Sequence, residues 1–362
     1  MQISFVIPTR NRSHELRYTL EQLQGLNLDE LGGPSELVIV DNGSEHPMEL
    51  PKALDNGLAI SQVKLGENRG AGARNVGAGH ARGDWIIMLD DDSNLRPGRI
   101  GEYLSQVDPA IGAVGGEIFL PDGSHEAGGL PEVVIGCGCA IRRDAFLEVG
   151  GYDARFGYYA EEYDLCAKLI AGGYRVCHTR AFAFEHRKSS LGRDMNEILY
   201  RLVRNNGWMI QRYAPDAVLD EALGEMKVRY EQIALKEQAI EGYRRGVDEL
   251  NRTIGDQKRS ALGVHAWDRF VGVDAMRSTL EPVLRAHASG GAMIVGPARG
   301  KGLGHIRTMI QGCSVSIVEH GDDVLRVIGT LSPGPMLDVL RAHPDAVCPW
   351  MIEELASIGS QG

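Results

Sequence analysis

Apolar residues in the N-terminal part of the chain come in short dense runs, each closed by a polar or glycine-containing loop. Ile3-Ser4-Phe5-Val6-Ile7-Pro8, Glu36-Leu37-Val38-Ile39-Val40 and Ile86-Ile87-Met88-Leu89 have the length of strands. Their near-continuous apolarity predicts strands covered on both faces of a parallel sheet. A weaker strand is expected near residues 60–65. After the first run, Leu16, Leu20 and Leu23 recur at i, i+4 and i+7, a helix with Ser13 as its cap. A second, small-residue helix opens around Asn68-Arg69-Gly70 and leads into the Ile86 run. Strands alternating with helices predict a right-handed α/β sheet. Further on, residues 111–117, 133–141 and 181–185 predict strands, a Gly-rich loop spans 121–131, and a helix opens at Glu161.

Beyond Pro215 the pattern changes. Met226, Ile233, Ile240, Val247 and Ile254 recur every seven residues, which predicts one long helix or a helical hairpin. Tyr230, Glu237 and Arg244 occupy the complementary positions and argue against a sustained coiled coil. This segment is expected to pack on the N-terminal domain or on a second copy of the chain, giving a homo-oligomer through 216–289. From residue 292 an apolar run followed by Gly296, Gly300, Gly302 and Gly304 predicts a small Rossmann-like α/β segment. Glu319 falls near the distance of a ribose-binding acid, but the glycines do not follow the dinucleotide spacing. A structural or partner role is therefore expected there. The domains read as 1–215, with halves of about 1–110 and 111–215, then a helical 216–289 and an α/β 290–362.

Length and composition narrow the classes. A chain of 362 residues with 43% hydrophobic content can bury real cores. Its formal net charge of −11 argues against a nucleic-acid partner held by bulk electrostatics. Six cysteines, at 137, 139, 166, 177, 313 and 348, include no CxxC pair and read as reduced packing residues of a cytoplasmic protein. The opening goes straight into a strand, so no leader is expected, and no apolar run approaches the ~18 residues of a membrane helix. Contact with the inner face of a membrane is expected to be at most peripheral.

The chemistry concentrates where the Ile86 run ends in Asp90-Asp91-Asp92-Ser93. Ligands of open α/β sheets sit beyond the carboxyl ends of the strands. Three adjacent carboxylates call for a cation or a set of donors, unless they form a solvated acidic turn. Asp41 ends another strand, where it can accept from a base N–H or simply cap the turn at Gly43. Arg69 and Arg74 flank a Gly-rich helix start suited to an anion, and with the nearby acids this suggests a metal-bridged diphosphate. In the helix from Glu161, helical spacing turns Glu162, Leu165 and Leu169 inward and sets Glu161, Asp164 and Lys168 on the other side. Asp164 and Lys168 then form a surface pair. Cys137 and Cys139 read as packing residues of one strand face, not a metal pair. His186 closes a strand, a place more often structural than ligating. Arg201, Arg204 and Asn205 face either an anionic group or solvent.

Taken in order, Ile7-Pro8-Thr9-Arg10-Asn11-Arg12, Val40-Asp41-Asn42-Gly43-Ser44, Asn68-Arg69-Gly70, Ala73-Arg74-Asn75, Leu89-Asp90-Asp91-Asp92, Gly150-Gly151-Tyr152-Asp153, Glu161-Glu162-Tyr163-Asp164-Leu165 and His186 resemble a family 2 glycosyltransferase of the GT-A fold. The resemblance covers residues 3 to about 213. It implies a GT-A-type mixed, mainly parallel sheet flanked by helices, here followed by the helical segment and the α/β appendage. It also implies a nucleoside-diphosphate sugar donor contacted by Pro8, Thr9, Arg12, Asp41, Asn68, Arg74, Asp90 and Asp91. Mn²⁺ or Mg²⁺ would be held by Asp92, Asp90 and His186, and transfer would invert the anomeric centre. Glu162 would be the general base, with Glu161 as the fallback. The family motif usually carries Asp at the position of Glu162, so this chain is longer there by one methylene. The acceptor would be a hydroxyl of a glycan or lipid-linked saccharide. A sugar nucleotidyltransferase would need glycines in the loop after the first strand, which Thr9-Arg10-Asn11-Arg12 lacks. A non-catalytic sugar-nucleotide-binding or scaffold protein is the alternative; loss of Asp92, or of both Glu161 and Glu162, would have favoured it, and all three are present.

Overall fold

The apolar runs become strands of one mixed sheet in the computed structural model, which describes residues 2–126, 129–188, 194–287, 291–321 and 324–350. The described residues fall into two compact units, 2–126 with 133–188, and 129–132 with 194–350. In the first unit the strands are β1 (Ile3–Thr9), β2 (Ser35–Asp41), β3 (Ala59–Lys64), β4 (Trp85–Met88), β5 (Ser93–Leu95), β6 (Ile111–Phe119), β7 (Cys139–Arg142) and β8 (Arg175–His186). Its helices are α1 (Ser13–Gln24), α2 (Gly72–His80), α3 (Ile100–Gln106), α4 (Arg143–Glu148) and α5 (Glu161–Ala171). Among the described residues the strands pair in the order β3-β2-β1-β4-β7-β6-β8-β5.

The first four strands are parallel to one another, as is β6 to β8, whereas β7 runs antiparallel to β4 and β6, and β5 antiparallel to β8. The sheet is therefore mixed and mainly parallel, as expected. The chain winds outward from β1 through β2 to β3, then returns to lay β4 on the opposite side of β1. That reversal opens a crevice at the carboxyl ends of β1 and β4, where α/β sheets bind ligands. Register sharpens it. β1 stays paired with β2 as far as Thr9 with Asp41, but with β4 only as far as Val6 with Met88, after which the Leu89 N–H donates to the Val6 carbonyl at 3.1 Å.

Packing follows from the residue types. Ile3, Phe5, Ile7, Leu37, Ile39 and Ile87 are completely buried, and Leu16, Leu20 and Leu23 of α1 close over them as the periodicity predicts. α2 approaches the sheet through Gly77, where a Cβ would lie 2.4 Å from Val6 Cγ1. Only a small-residue helix fits this close to the strands that carry the site.

Two local expectations change. α1 begins at Ser13 itself, with Arg12 at the cap position and no side-chain cap, because a guanidinium has no acceptor for the free N–H groups; it pairs with Asp91 and Asp92 instead. The strand expected over 133–141 is confined to β7. Val133 and Val134 are buried but irregular, and the chain turns at 135–138 with the Gly138 N–H donating to the Ile135 carbonyl at 3.2 Å. Glycines permit that turn: a Cβ at Gly138 would lie 2.8 Å from Ile118 Cγ1.

The second unit carries α6 (Met195–Tyr213), α7 (Leu219–Lys236), α8 (Ile240–Thr253), α9 (Val264–Val271) and α10 (Val273–Ala286), then β9 (Gly291–Val295), α11 (Leu303–Gly312), β10 (Ser316–Ile317), β11 (Val324–Ile328) and α12 (Pro333–Ala342). Of the two forms the heptad pattern allows, the structure has separate helices: the chain breaks between α7 and α8, where Gln238 adopts φ 54°. The heptad residues are not the main buried stripe. On α8 that stripe is Gly242, Gly246 and Leu250, laid tightly on α6; a Cβ at Gly242 would stand 2.0 Å from the Asn196 carbonyl oxygen. Arg201 and Arg204 of α6 pair with Glu197 and Glu249, and Asn205 is buried. The last three strands are parallel in the order β10-β9-β11. The glycine loop after β9 packs on the chain's own backbone, for a Cβ at Gly300 would meet the Gly329 carbonyl oxygen at 1.9 Å, and Leu331 N–H donates to the Lys301 carbonyl. Glu319 lies beyond the end of β10 and is exposed. Among the described residues no helix is long and apolar enough to cross a membrane.

Candidate active site at the β1–β4 crevice

The acidic turn after β4 is held by a cage of donors. Ser93 Oγ accepts from the Asp90 N–H at 2.8 Å, Thr19 Oγ1 donates to the Asp91 carbonyl at 2.7 Å, and the Arg187 N–H donates to the Asp92 carbonyl at 2.9 Å. The Arg187 guanidinium adds bonds to Asn94 Oδ1 and Thr19 Oγ1. β5 starts directly after the turn, and its register with β8 sets Ser93 opposite His186. That pairing brings a histidine from the far end of the unit beside the acids.

The three carboxylates differ in their surroundings. Asp91 is buried, with Thr9 Oγ1 donating to its Oδ2 at 2.8 Å and Arg12 Nη1 2.8 Å from its Oδ1. Burial pushes this carboxyl up to about 7 against the pull of Arg12 and Thr9. Asp92 is also buried, but hydrogen bonds from His186 and Arg12 outweigh burial and hold it far below the usual carboxylate range. Its Oδ2 lies 2.6 Å from Arg12 Nη2, and its Oδ1 lies 3.4 Å from His186 Nε2. Asp90 pairs with the deeply buried Arg74. Burial works against a charge on His186, yet Asp92, Cys137 and Glu126 together push its pKa up to about 12.

The other carboxylate pair opens α5. Tyr159 and Ala160, immediately before it, adopt φ 73° and 62°, the left-handed region that costs a side-chain-bearing residue energy. Contrary to the wheel reading, Glu161 and Asp164 are the buried acids, at 4% and 0% exposure, while Glu162 is partly exposed. The reason is that α5 is packed on more than one side, so no single face is inward. Lys168 does pair with Asp164, at 2.8 Å, but as a buried tie, and its Nζ also donates to the Gly151 carbonyl at 3.0 Å. Glu162 Oε1 accepts from the Gly136 N–H at 3.4 Å, and Glu161 Oε2 has no hydrogen-bond partner among the described residues. Burial raises both glutamates above their ordinary range and Arg74 pulls them back; for Glu161, the Glu162 charge adds to the rise. Arg74 thus bears on Asp90, Glu161 and Glu162 together, and lies 5.9 Å from the Tyr152 ring centroid.

The remaining predicted residues are accounted for locally. Asp41 Oδ1 accepts from the Ser44 N–H at 2.8 Å, so it caps its turn, and it also lines a cleft of about 330 Å³ with Thr9, Arg12, His46 and Gln62. Asn68 Oδ1 accepts from Asn42 Nδ2 at 3.0 Å and from the Gly70 N–H at 2.9 Å. Pro8 sits in β1 opposite Val40. Asn75 clamps Tyr152, accepting from its N–H at 2.8 Å and donating to its carbonyl at 2.7 Å, which joins α2 to the turn at Gly150-Gly151.

Three participants went unread in the sequence. Cys137, taken for a packing residue of a strand face, lies in the turn before β7 with its Sγ 3.6 Å from His186 Nδ1, and burial lifts its thiol to about 11. Glu126 contacts the same nitrogen, and Arg187 anchors the acidic turn. Cys137 and His186 are 49 positions apart and Glu126 and His186 are 60, so no local pattern links them.

Similarity to known proteins extends over much of the first unit. Residues 4–122 match the family described as glycosyl transferase family 2, and this match supports a sugar-transferring enzyme. The pre-mycofactocin glycosyltransferase of Mycobacterium tuberculosis is 27% identical over 48% of this chain and 40% of its own length. The glucosyl-dolichyl phosphate glucuronosyltransferase of Haloferax volcanii is 29% identical over 56% of this chain and 74% of its own. Against an uncharacterized protein of Sinorhizobium fredii, 26% identical, the chain spans 28% of the length, so two of these relatives are much longer than the region matched. Among solved structures, GalNAc-T7 with UDP, GalNAc and Mn²⁺ aligns over 71% of this chain and 57% of that one, with a TM-score of 0.49 and 15% identity.

Proposed function

We propose that this chain transfers a sugar from a nucleoside-diphosphate sugar to an acceptor hydroxyl, with inversion at the anomeric carbon. One observation carries the reading. At the β1–β4 crevice, Asp92 and His186 Nε2 face each other, while across Arg74 from Asp90 stand two glutamates with raised pKa values. Perturbed carboxylates in a ligand crevice mark functional sites.

A divalent cation fits the residues present. Donor atoms of Asp90, Cys137 and His186 lie within 4.8 Å of one another, and Asp92 adjoins His186; the two carboxylates suit Mn²⁺ or Mg²⁺. Asp92, Asp90 and His186 would hold the ion, and when bound it would offset the negative charge of the departing diphosphate. The chain's own residues divide the rest of the work. Arg12, now on Asp91 and Asp92, and Arg74, on Asp90, would donate to phosphate oxygens. Asp41, at the cleft beyond β2, would accept from the nucleotide base. Glu162, exposed enough to meet an acceptor, would take the proton of its hydroxyl; the buried Glu161 raises the proton affinity of the pair. The Haloferax relative is named for a dolichyl phosphate substrate, which favours a lipid-linked saccharide or glycan as acceptor here. The second unit is read as structural or partner-binding.

Nucleotide release from a panel of nucleoside-diphosphate sugars with Mn²⁺ or Mg²⁺ tests this. Turnover should be lost in EDTA and in Asp92→Ala; full activity in either would end the metal reading. Glu162→Gln should keep donor binding while kcat drops ~10²-fold or more. If Glu161→Gln alone loses turnover, the base is the neighbouring residue.

A further inference from the structure

His186 presents a different chemical choice through each ring nitrogen. Nε2 faces Asp92 Oδ1 at 3.4 Å. Nδ1 has the Cys137 sulfur at 3.6 Å and Glu126 Oε2 at 2.5 Å. Asp90, Cys137 and His186 bring donor atoms within 4.8 Å of one another. The imidazole therefore stands between two donor sets: an oxygen-rich one reached through Nε2 with Asp92, and a sulfur-containing one reached through Nδ1 with Cys137. Hard oxygen sites take Mg²⁺ or Mn²⁺, whereas a thiolate draws Zn²⁺ and similar softer ions.

We propose that Glu126 settles the choice: by accepting from Nδ1–H it reserves Nε2 for the cation, keeps the Cys137 sulfur out of the donor set, and so makes this an oxygen-ligated site. Which nitrogen of a histidine meets a metal is set by the hydrogen bond made by the other. Glu126 is itself fixed. Its N–H donates to the Ile118 carbonyl at 2.8 Å, and its Oε1 lies 3.2 Å from Lys188 Nζ. The residue sits in the loop after β6, where the chain folds back on that strand, so this loop's hold on Ile118 is what aims the imidazole. Glu126 is a positioning residue, touching neither donor nor acceptor.

The inference rests on the metal reading above, and the experiment separates the two. In the full chain, Mn²⁺ affinity should fall about 10–100-fold in Glu126→Ala, with partial recovery in Glu126→Asp. Cobalt-loaded wild-type protein should lack a thiolate-to-cobalt charge-transfer band. Glu126→Ala should gain it, and adding Cys137→Ser should abolish it. A band in the wild type, or unchanged Mn²⁺ affinity without a band in Glu126→Ala, overturns the proposal. Glu126→Gln, which keeps the volume, guards against a merely unfolded variant: its ¹⁵N imidazole spectrum in the metal-free state should show the Nδ1 hydrogen bond of His186 weakened. An unchanged spectrum counts against Glu126 even if no ion binds, an outcome that would separately dismiss the metal reading.

Discussion

Arg74 is the residue on which the candidate chemistry turns. Its guanidinium is buried, pairs with Asp90, and acts at the same time on Glu161 and Glu162. Desolvation favours the protonated glutamates, and this single positive charge opposes it without reversing it. The sign for catalysis follows directly. A general base works ionised, so activity must fall as pH drops through a pKa that lies above the ordinary glutamate value of about 4.3. The acid limb of kcat against pH, taken at saturating donor, should therefore lie above that value, and a limb at or below it would dissociate these glutamates from the chemical step. The three strand-end acids were legible because they interrupt an apolar run abruptly. Their individual roles were not, since Thr9 and Arg12 on Asp91, and His186 on Asp92, come from distant parts of the chain.

Elements were easiest to read where one face meets one partner. β1, β2, β4 and α1 follow the apolar pattern because covered strands need continuous apolarity and α1 lies on a single surface. α5 defeated the same logic, being packed on more than one side, and residues 133–138 defeated it because glycine turns inside an apolar stretch leave no mark in hydrophobicity. α8 shows a further reason. Its closest contact with α6 uses Gly242 and Gly246, whose contribution is absence of volume, and apolar periodicity does not register that. Gly242→Ala forces a methyl against backbone at Asn196, so the two helices must separate. A loss of about 1–3 kcal/mol is expected in urea unfolding of the full chain, with an unchanged midpoint showing that the helices were not in that contact.

At the scale of the whole molecule, the two units have separate cores, the candidate site lying within the first. Ligand binding stabilises what it binds, by about 2.7 kcal/mol at a hundred times Kd. Calorimetry of the full chain should show two transitions, only one of which moves upward when Mn²⁺ and the nucleoside diphosphate of the active donor are added. A single transition shifting as a whole would mean that the units unfold together. The family was legible from the N-terminal motifs alone, whereas the glycine-rich C-terminal segment invited a cofactor reading that its spacing did not support.

The early parting of β4 from β1 has a consequence for how such a protein changes over generations. Because the opening is made by where two backbones stop pairing, after Val6 and Met88, it does not depend on the identity of any side chain that lines it. The loops beyond β1, β2 and β4 can thus change, outside Arg12 and the Asp90-Asp91-Asp92 turn, without disturbing that pairing. A lineage built on this frame can drift from one donor to another through single replacements at the rim, each intermediate remaining folded, and the place to look for inherited preference is in those loops.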